Sequence, residues 1–112
     1  LNEDHIPLAL VATENDELIG LYLLMESDPP NRKNLTPWFG GFYVKSRFRN
    51  QGIGSKLTRH ALTLCHELEI KRLYLCTTDK QLFYERFGFE EIDKTNFRNE
   101  IVSIMAINSP KG

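Results

Sequence analysis

The sequence predicts an α+β domain: one mixed β-sheet, with helices making the crossover connections. Three observations carry that expectation. Apolar runs of strand length recur at Ile6 to Thr13, Leu18 to Met25, Trp38 to Lys45, Arg72 to Thr77 and Ile101 to Ile107. One stretch has a different period: Ile53, Leu57, Ala61, Leu64, Cys65 and Leu68 recur at three- and four-residue steps. That spacing is one face of an amphipathic helix running to about Glu69. Between the third run and this helix lies the glycine-rich turn Arg49-Asn50-Gln51-Gly52-Ile53-Gly54-Ser55.

The elements follow in order. Ile6 to Thr13 is apolar on both alternating faces and reads as a buried strand; Glu14-Asn15-Asp16-Glu17 is a polar turn. Leu18 to Met25 is a second strand, so the pair forms a hairpin. Asp28-Pro29-Pro30-Asn31-Arg32-Lys33-Asn34 is loop, because prolines and small polar residues support neither helix nor strand. Trp38 to Lys45 is the third strand, and Arg72 to Thr77 follows the long helix as the fourth. Asp79 is the expected N-cap of a short helix through Arg86, which Gly88 stops. Phe89 to Ile92 reads as a short strand, then a polar link leads to the last strand, Ile101 to Ile107. The order is β-β-β-α-β-α-β-β. Both strands of the first hairpin ask for cover on two faces, yet only one long and one short helix are visible. Cover comes from outside these residues, or one sheet face stays partly wet.

Bulk properties narrow the function. The 112 residues suit one domain, 1–112, with one core. Fourteen Lys and Arg stand against 15 Asp and Glu, so there is no basic excess to favour nucleic acid or an anionic membrane. No apolar run approaches a membrane span and no signal peptide is visible. Cys65 and Cys76 make neither a disulfide framework nor a metal motif and read as buried small hydrophobes, consistent with the reducing cytoplasm expected for the chain. Leu1 is not an initiator residue, so further chain upstream is expected.

A strand that ends in a glycine turn and becomes a helix N-terminus gathers several unpaired backbone N–H groups at one point. With the helix dipole, that point suits a phosphate. Gly52 and Gly54 leave no Cβ in the way of a close oxyanion. A tight strand-to-helix turn would use the same glycines without any ligand. Two other phosphate motifs are excluded: Ser55 precedes Lys56 rather than following it, and position 57 is Leu where a dinucleotide fingerprint needs a third glycine.

Arg49-Asn50-Gln51-Gly52-Ile53-Gly54 resembles the Arg/Gln-x-x-Gly-x-Gly/Ala acyl-CoA motif of the GNAT acetyltransferase superfamily, and it sits between a strand and a long helix as that motif does. Leu82-Phe83-Tyr84-Glu85-Arg86-Phe87-Gly88-Phe89 resembles the family's second signature, an aromatic-rich short helix with Tyr four residues before Gly-Phe. The resemblance covers essentially the whole chain, without the family's usual first strand and first two helices, which line the acceptor pocket. It implies a central mixed sheet with a splayed strand pair flanked by helices. It also implies acetyl-CoA as donor, no metal, and direct transfer to an amine of a small molecule or peptide. The implied cofactor surface is Phe42, Tyr43, Val44, Arg49, Asn50, Gln51, Gly52, Ile53, Gly54, Ser55, Thr78, Phe83 and Arg86, with Lys80 a further cation for the adenosine phosphate. By analogy, the pantetheine amides pair with the edge of the Trp38–Val44 strand where the next strand splays away.

In the same analogy Tyr84 is the catalytic acid, a phenol of pKa about 10 donating to the leaving thiolate. The Val44 amide or a neighbour polarises the thioester carbonyl. A general base is not evident, since Trp38 to Val44 holds no carboxylate. Glu26 and Asp28 follow the preceding strand, and His60 and His66 read as solvent-facing on the long helix. A missing base favours a low-pKa acceptor. An α-amine of pKa about 7.7–8.0 needs only ~1–1.4 kcal/mol to become neutral at pH 7, against ~4.6 kcal/mol for a lysine. Trp38, Phe39, Phe42 and Tyr43 read as core and pocket wall. A non-catalytic acyl-CoA-binding module, or a structural fragment that binds no cofactor, fits the same residues. A partly uncovered apolar sheet face would also encourage a homodimer.

Overall fold

The computed structural model describes residues 8–26 and 35–108. Among them, β1 (Leu8–Glu14), β2 (Glu17–Met25), β3 (Trp38–Val44), β4 (Arg72–Thr77), β5 (Glu90–Phe97) and β6 (Glu100–Asn108) form one sheet. The helices are α1 (Ile53–Glu67) and α2 (Gln81–Glu85), with a 3-10 turn at Ser46–Phe48. The sheet order is β1-β2-β3-β4-β6-β5, with β3 and β4 the parallel pair. The α+β mixed sheet expected from the sequence is the observed architecture. The proline-rich segment expected as loop lies outside the described residues.

Two tight turns close the antiparallel hairpins. Glu14 pairs with Glu17 across Asn15 and Asp16, whose φ values are 52° and 66°. Phe97 pairs with Glu100 across Arg98 and Asn99, at 53° and 67°. Positive φ at both central residues is the two-residue turn whose twist matches the strands. The second hairpin corrects the sequence reading. What looked like a short strand and a polar link is one strand, Glu90–Phe97, paired along its length with β6. Its alternation is invisible because most of its side chains are exposed; the backbone ladder defines it.

α1 begins at Ile53 as its periodicity predicts and ends two residues before Glu69. Glu69 adopts φ 61°, its amide reaching the His66 carbonyl at 3.1 Å while the Ile70 amide reaches Cys65 at 2.9 Å. That pair of bonds is a Schellman stop, here without glycine. Leu57, Thr58, Ala61 and Cys65 are its buried face, and the Thr58 hydroxyl is satisfied by the Gly54 carbonyl at 2.9 Å. The face packs on a core that includes Tyr22, Leu24, Phe39, Leu73, Leu75 and Met105, joined by Tyr84 and Phe89 from the α2 region. Each such fully buried side chain contributes roughly 1.5–3 kcal/mol.

α1 and α2 both lie on this face of the sheet. On the other face Trp38, Ile104 and Ala106 are buried, while Leu21, Leu23 and Met25 are half-buried and Val11 is 61% exposed. Among the described residues β1 has no buried side chain, Leu8, Leu10 and Ala12 being half-buried on one face and Ala9 and Val11 exposed on the other, so the buried strand expected there is instead a partly open edge.

β3 and β4 register at a single pair, Trp38 with Tyr74, and diverge beyond it. Trp38 fixes the joined end. It is fully buried, donates from Nε1 to the Leu35 carbonyl at 2.6 Å, and packs its ring 5.7 Å from that of Tyr74. Towards the open end β3 carries a bulge: Leu21 pairs with Tyr43 but Leu23 pairs with Gly40, so Gly41 and Phe42 together oppose Tyr22. Gly41 has φ 57°, and a Cβ on it would lie 2.7 Å from Leu23 Cδ1. Gly41→Ala therefore meets both backbone strain and a clash, and should lower stability by about 1–3 kcal/mol in urea unfolding. An unchanged midpoint would mean the bulge is not held as described.

Candidate active site

The run from β3 into α1 is fixed by its own polar contacts. The Lys45 amide donates to the Ile19 carbonyl at 2.9 Å, which closes the β2–β3 ladder. In an antiparallel ladder the preceding residue then faces the other way, so Val44 turns its amide and carbonyl from β2 towards the gap. Arg49 Nε takes that carbonyl at 2.8 Å. Glu17 accepts from Lys45 Nζ at 2.8 Å and from Arg47, tying the start of β2 to the loop; these cations, Lys45 first, hold its carboxyl below the usual range. Gln51 Nε2 donates to the Arg47 carbonyl at 3.1 Å. The chain then turns through Asn50 (φ 64°) and Gly52 (φ 83°) into α1.

The first helical bond is Lys56 amide to Gly52 carbonyl, 3.0 Å. Among the described residues the amides of residues 50–55 make no short, well-aligned backbone bond beyond the weak closures of the turn at 49–52, no side chain caps the helix, and its first turn holds no acidic residue. This end is an open row of donors at the positive pole of a helix of 15 residues. A Cβ on Gly52 would meet no protein atom within 4 Å, so its φ is what calls for glycine and the space beside it is free. At Gly54 the limit is packing: a Cβ there would lie 3.2 Å from the Phe42 ring.

These amides open on a cleft of about 650 Å³ between β3, the start of α1, and α2. From β3 it is lined by Phe42, Tyr43 and Val44; from the turn and α1 by Arg49, Asn50, Gly52, Gly54 and Ser55. Lys80, Phe83 and Tyr84 close it from the α2 side. Four residues expected on the cofactor surface are not among its lining. Gln51 turns back to the Arg47 carbonyl, and Ile53 packs against the core. Thr78 is exposed and gives its carbonyl to Gln81 Nε2 at 3.3 Å; Arg86 is exposed, with its guanidinium 5.8 Å from the Phe83 ring centre.

α2 is entered differently from expectation. Asp79 is not its N-cap: Lys80 occupies that position, no side chain caps it, and the Lys80 amide instead donates to Thr77 Oγ1 at 3.0 Å. Tyr84 is buried among the rings of Phe39, Phe83 and Phe89, with centroids 5.1 to 6.3 Å away. Its hydroxyl has no hydrogen-bond partner among the described residues. Burial, with nearby Cys76 adding to it, pushes the phenol up to about 12.

Among the described residues no carboxylate or imidazole lines the cleft. Glu26 is exposed at the end of β2, and Asp28 lies outside the described residues. His66 is exposed in the last turn of α1. His60 is exposed as expected, and its Nδ1 also lies 2.8 Å from the hydroxyl of fully buried Tyr22. Cys65 is buried and Cys76 half-buried, and burial pushes the Cys65 thiol up to about 11. Among the described residues no group of His, Cys, Asp and Glu could hold a metal, and no helix is long and apolar enough to cross a membrane.

Sequence reasoning missed one cluster. Ser103, a polar residue inside the apolar run of β6, is 2% exposed and joins Gln81 of α2 to Glu91 of β5. A hydroxyl in a buried strand needs a partner, so the position was a signal, but its partners lie far along the chain.

Comparison with known proteins agrees with this geometry. The chain is 27% identical over 95 residues to the spermine/spermidine N(1)-acetyltransferase of Bacillus subtilis (strain 168), a match that takes in 79% of this chain and 62% of that protein. The fold superposes on the ribosomal-protein-S18-alanine N-acetyltransferase of Escherichia coli with a TM-score of 0.76, at 17% identity over 95% of this chain and 71% of that one. It superposes on an aminoglycoside 6'-N-acetyltransferase complexed with coenzyme A at 0.74, with 18% identity, covering 93% and 73% of the two chains. Residues 6–91 match the acetyltransferase (GNAT) domain, and the chain belongs to that family.

Proposed function

We propose that this chain is an N-acetyltransferase that moves an acetyl group from acetyl-CoA directly to an amine of a small molecule or peptide. One observation carries the reading: unpaired amides at the start of α1 and the partnerless Tyr84 line the same cleft. The coenzyme bound to the aminoglycoside relative supports the donor. The amides of residues 50–55 would take the pyrophosphate, each hydrogen bond to a charged group contributing about 1.5–3 kcal/mol before desolvation. Val44, turned from β2, would meet the pantetheine or the thioester carbonyl. Lys80 supplies a cation on the α2 side of the cleft.

Tyr84 then acts on the sulfur. With its phenol pushed up to about 12, it stays protonated at every physiological pH. Full transfer to a thiolate whose thiol has pKa about 8.5 is uphill by roughly 3.5 units, about 5 kcal/mol. Tyr84 therefore stabilises the departing thiolate chiefly by donating a hydrogen bond, and water takes part in the final protonation.

The acceptor is an amine that loses its proton easily. Among the described residues the cleft has no carboxylate or imidazole to serve as base for a lysine ammonium, whereas an α-amine is partly neutral at pH 7. The relatives' names span polyamine, aminoglycoside and alanine acceptors, the last an α-amine. The same bare lining favours a second reading, a non-catalytic acyl-CoA-binding module. Calorimetry with acetyl-CoA, followed by thiol release with a panel of amines at pH 7, separates them. Heat together with release that is fastest for α-amine acceptors is the expected result. Heat without release supports the module, and no heat at millimolar ligand removes both readings.

Tyr84→Phe should lower kcat about 10- to 100-fold at unchanged acetyl-CoA affinity, as loss of one acid or donor does. The wild-type pH–rate profile should show no falling limb from phenol ionisation between about pH 7 and pH 10, because ionisation of this group lies near 12. A limb there that vanishes in Tyr84→Phe would contradict the burial of the hydroxyl.

A further inference from the structure

α2 is only five residues long, has no side-chain cap, and is too short to hold itself. Something outside the helix must set its height and rotation, and with them the position of Tyr84. The Thr77 hydroxyl holds the Lys80 amide at 3.0 Å on the β4 side. On the β6 side Ser103, which pairs with Thr77 across the β4–β6 ladder, faces the first residue of the helix. Gln81 Nε2 donates to Ser103 Oγ at 3.0 Å and to the Thr78 carbonyl at 3.3 Å. Ser103 Oγ in turn donates to Glu91 Oε1 at 2.6 Å, and Lys94 Nζ holds Glu91 Oε2 at 2.6 Å.

The direction of this chain is fixed. An ionised carboxylate only accepts, so the single Ser103 proton points at Glu91 and its lone pairs are left for Gln81. Gln81 is committed in the same way, with its side-chain nitrogen shared between the hydroxyl and the Thr78 carbonyl. Three successive elements, α2, β5 and β6, thus meet at the buried Ser103 oxygen, which holds Gln81 three residues before Tyr84, and charge-assisted bonds stiffen the junction.

We propose that Ser103, oriented by Glu91, is a positioning residue that locks Gln81 and through it sets where the Tyr84 hydroxyl stands in the cleft. The inference rests on the reading of Tyr84 as donor to the sulfur. Ser103→Ala and Gln81→Met remove the link at either end with little change in shape. Each should lower kcat with the fastest amine of the panel about 10-fold or more, the scale of a small misplacement. Acetyl-CoA affinity by calorimetry should not change. In a Tyr84→Phe background neither substitution should lower kcat further, and the double substitution should match either single one. The 19F resonance of Tyr84 in 3-fluorotyrosine-labelled protein, assigned by its loss in Tyr84→Phe, should shift in both variants.

The two ideas fail separately. If Tyr84→Phe alone leaves kcat unchanged, the reading of Tyr84 is wrong, and the 19F shift still decides whether Ser103 positions the ring. If Tyr84→Phe lowers kcat while Ser103→Ala and Gln81→Met do not, or if they lower it equally in both backgrounds, the positioning role is overturned. An unmoved 19F resonance overturns it as well. Should Ser103→Ala fail to fold, Gln81→Met carries the same comparisons alone, because Gln81 is only half-buried.

Discussion

Two parallel strands joined at one end and parted at the other create the space on which the rest of this molecule depends. A parallel pair that stayed in register along its length would use the outward amides of β3 on β4 and leave no cleft. Here the pair is held at Trp38 and Tyr74, where a fully buried indole, its bond to the Leu35 carbonyl and the Tyr74-to-Pro37 backbone bond of 3.1 Å act together. Beyond that point the strands part. The bulge at Gly41 and Phe42 changes the facing of β3, so that Val44 looks into the gap.

Everything that lines the gap is placed by contacts made elsewhere. The turn before α1 is tied through Arg49 to Val44 and through Lys45 and Arg47 to Glu17, so the loop does not depend on a ligand for its shape. Its free amides are then pre-organised, and binding there costs little ordering. On the opposite wall, Tyr84 sits in a nest of aromatic rings that supplies packing but no polar partner. The two walls differ in chemistry: a row of helix N-terminal amides on one, a neutral hydroxyl on the other.

Much of this was legible in the residues. β4 runs from Arg72 to Thr77 and α1 starts at Ile53, as apolar spacing alone indicates, because burial on one face imposes those periods. The glycine turn and Tyr84 were legible for the same local reason. Other features depend on partners far along the chain. β5 is polar on both faces and is a strand only through its ladder with β6. Asp79 has the chemistry of a cap, but the helix starts one residue later, with Lys80 at the cap position. Gln51 and Ile53 belong to the motif by sequence, yet one bonds the loop and the other joins the core. The Tyr22–His60 and Gln81–Ser103–Glu91 contacts join residues at least a dozen positions apart, which no local pattern encodes.

The claim most in need of a direct test is that the amides of residues 50–55 and Val44 are the ones that hold the coenzyme. An amide-resolved 1H–15N titration of the labelled protein with coenzyme A reads this without turnover or a known acceptor. The expected result is that the amides of residues 50–55 and Val44 show the largest shifts and slow their exchange with solvent at saturation. Saturating coenzyme that leaves those amides unmoved while others shift would contradict the account.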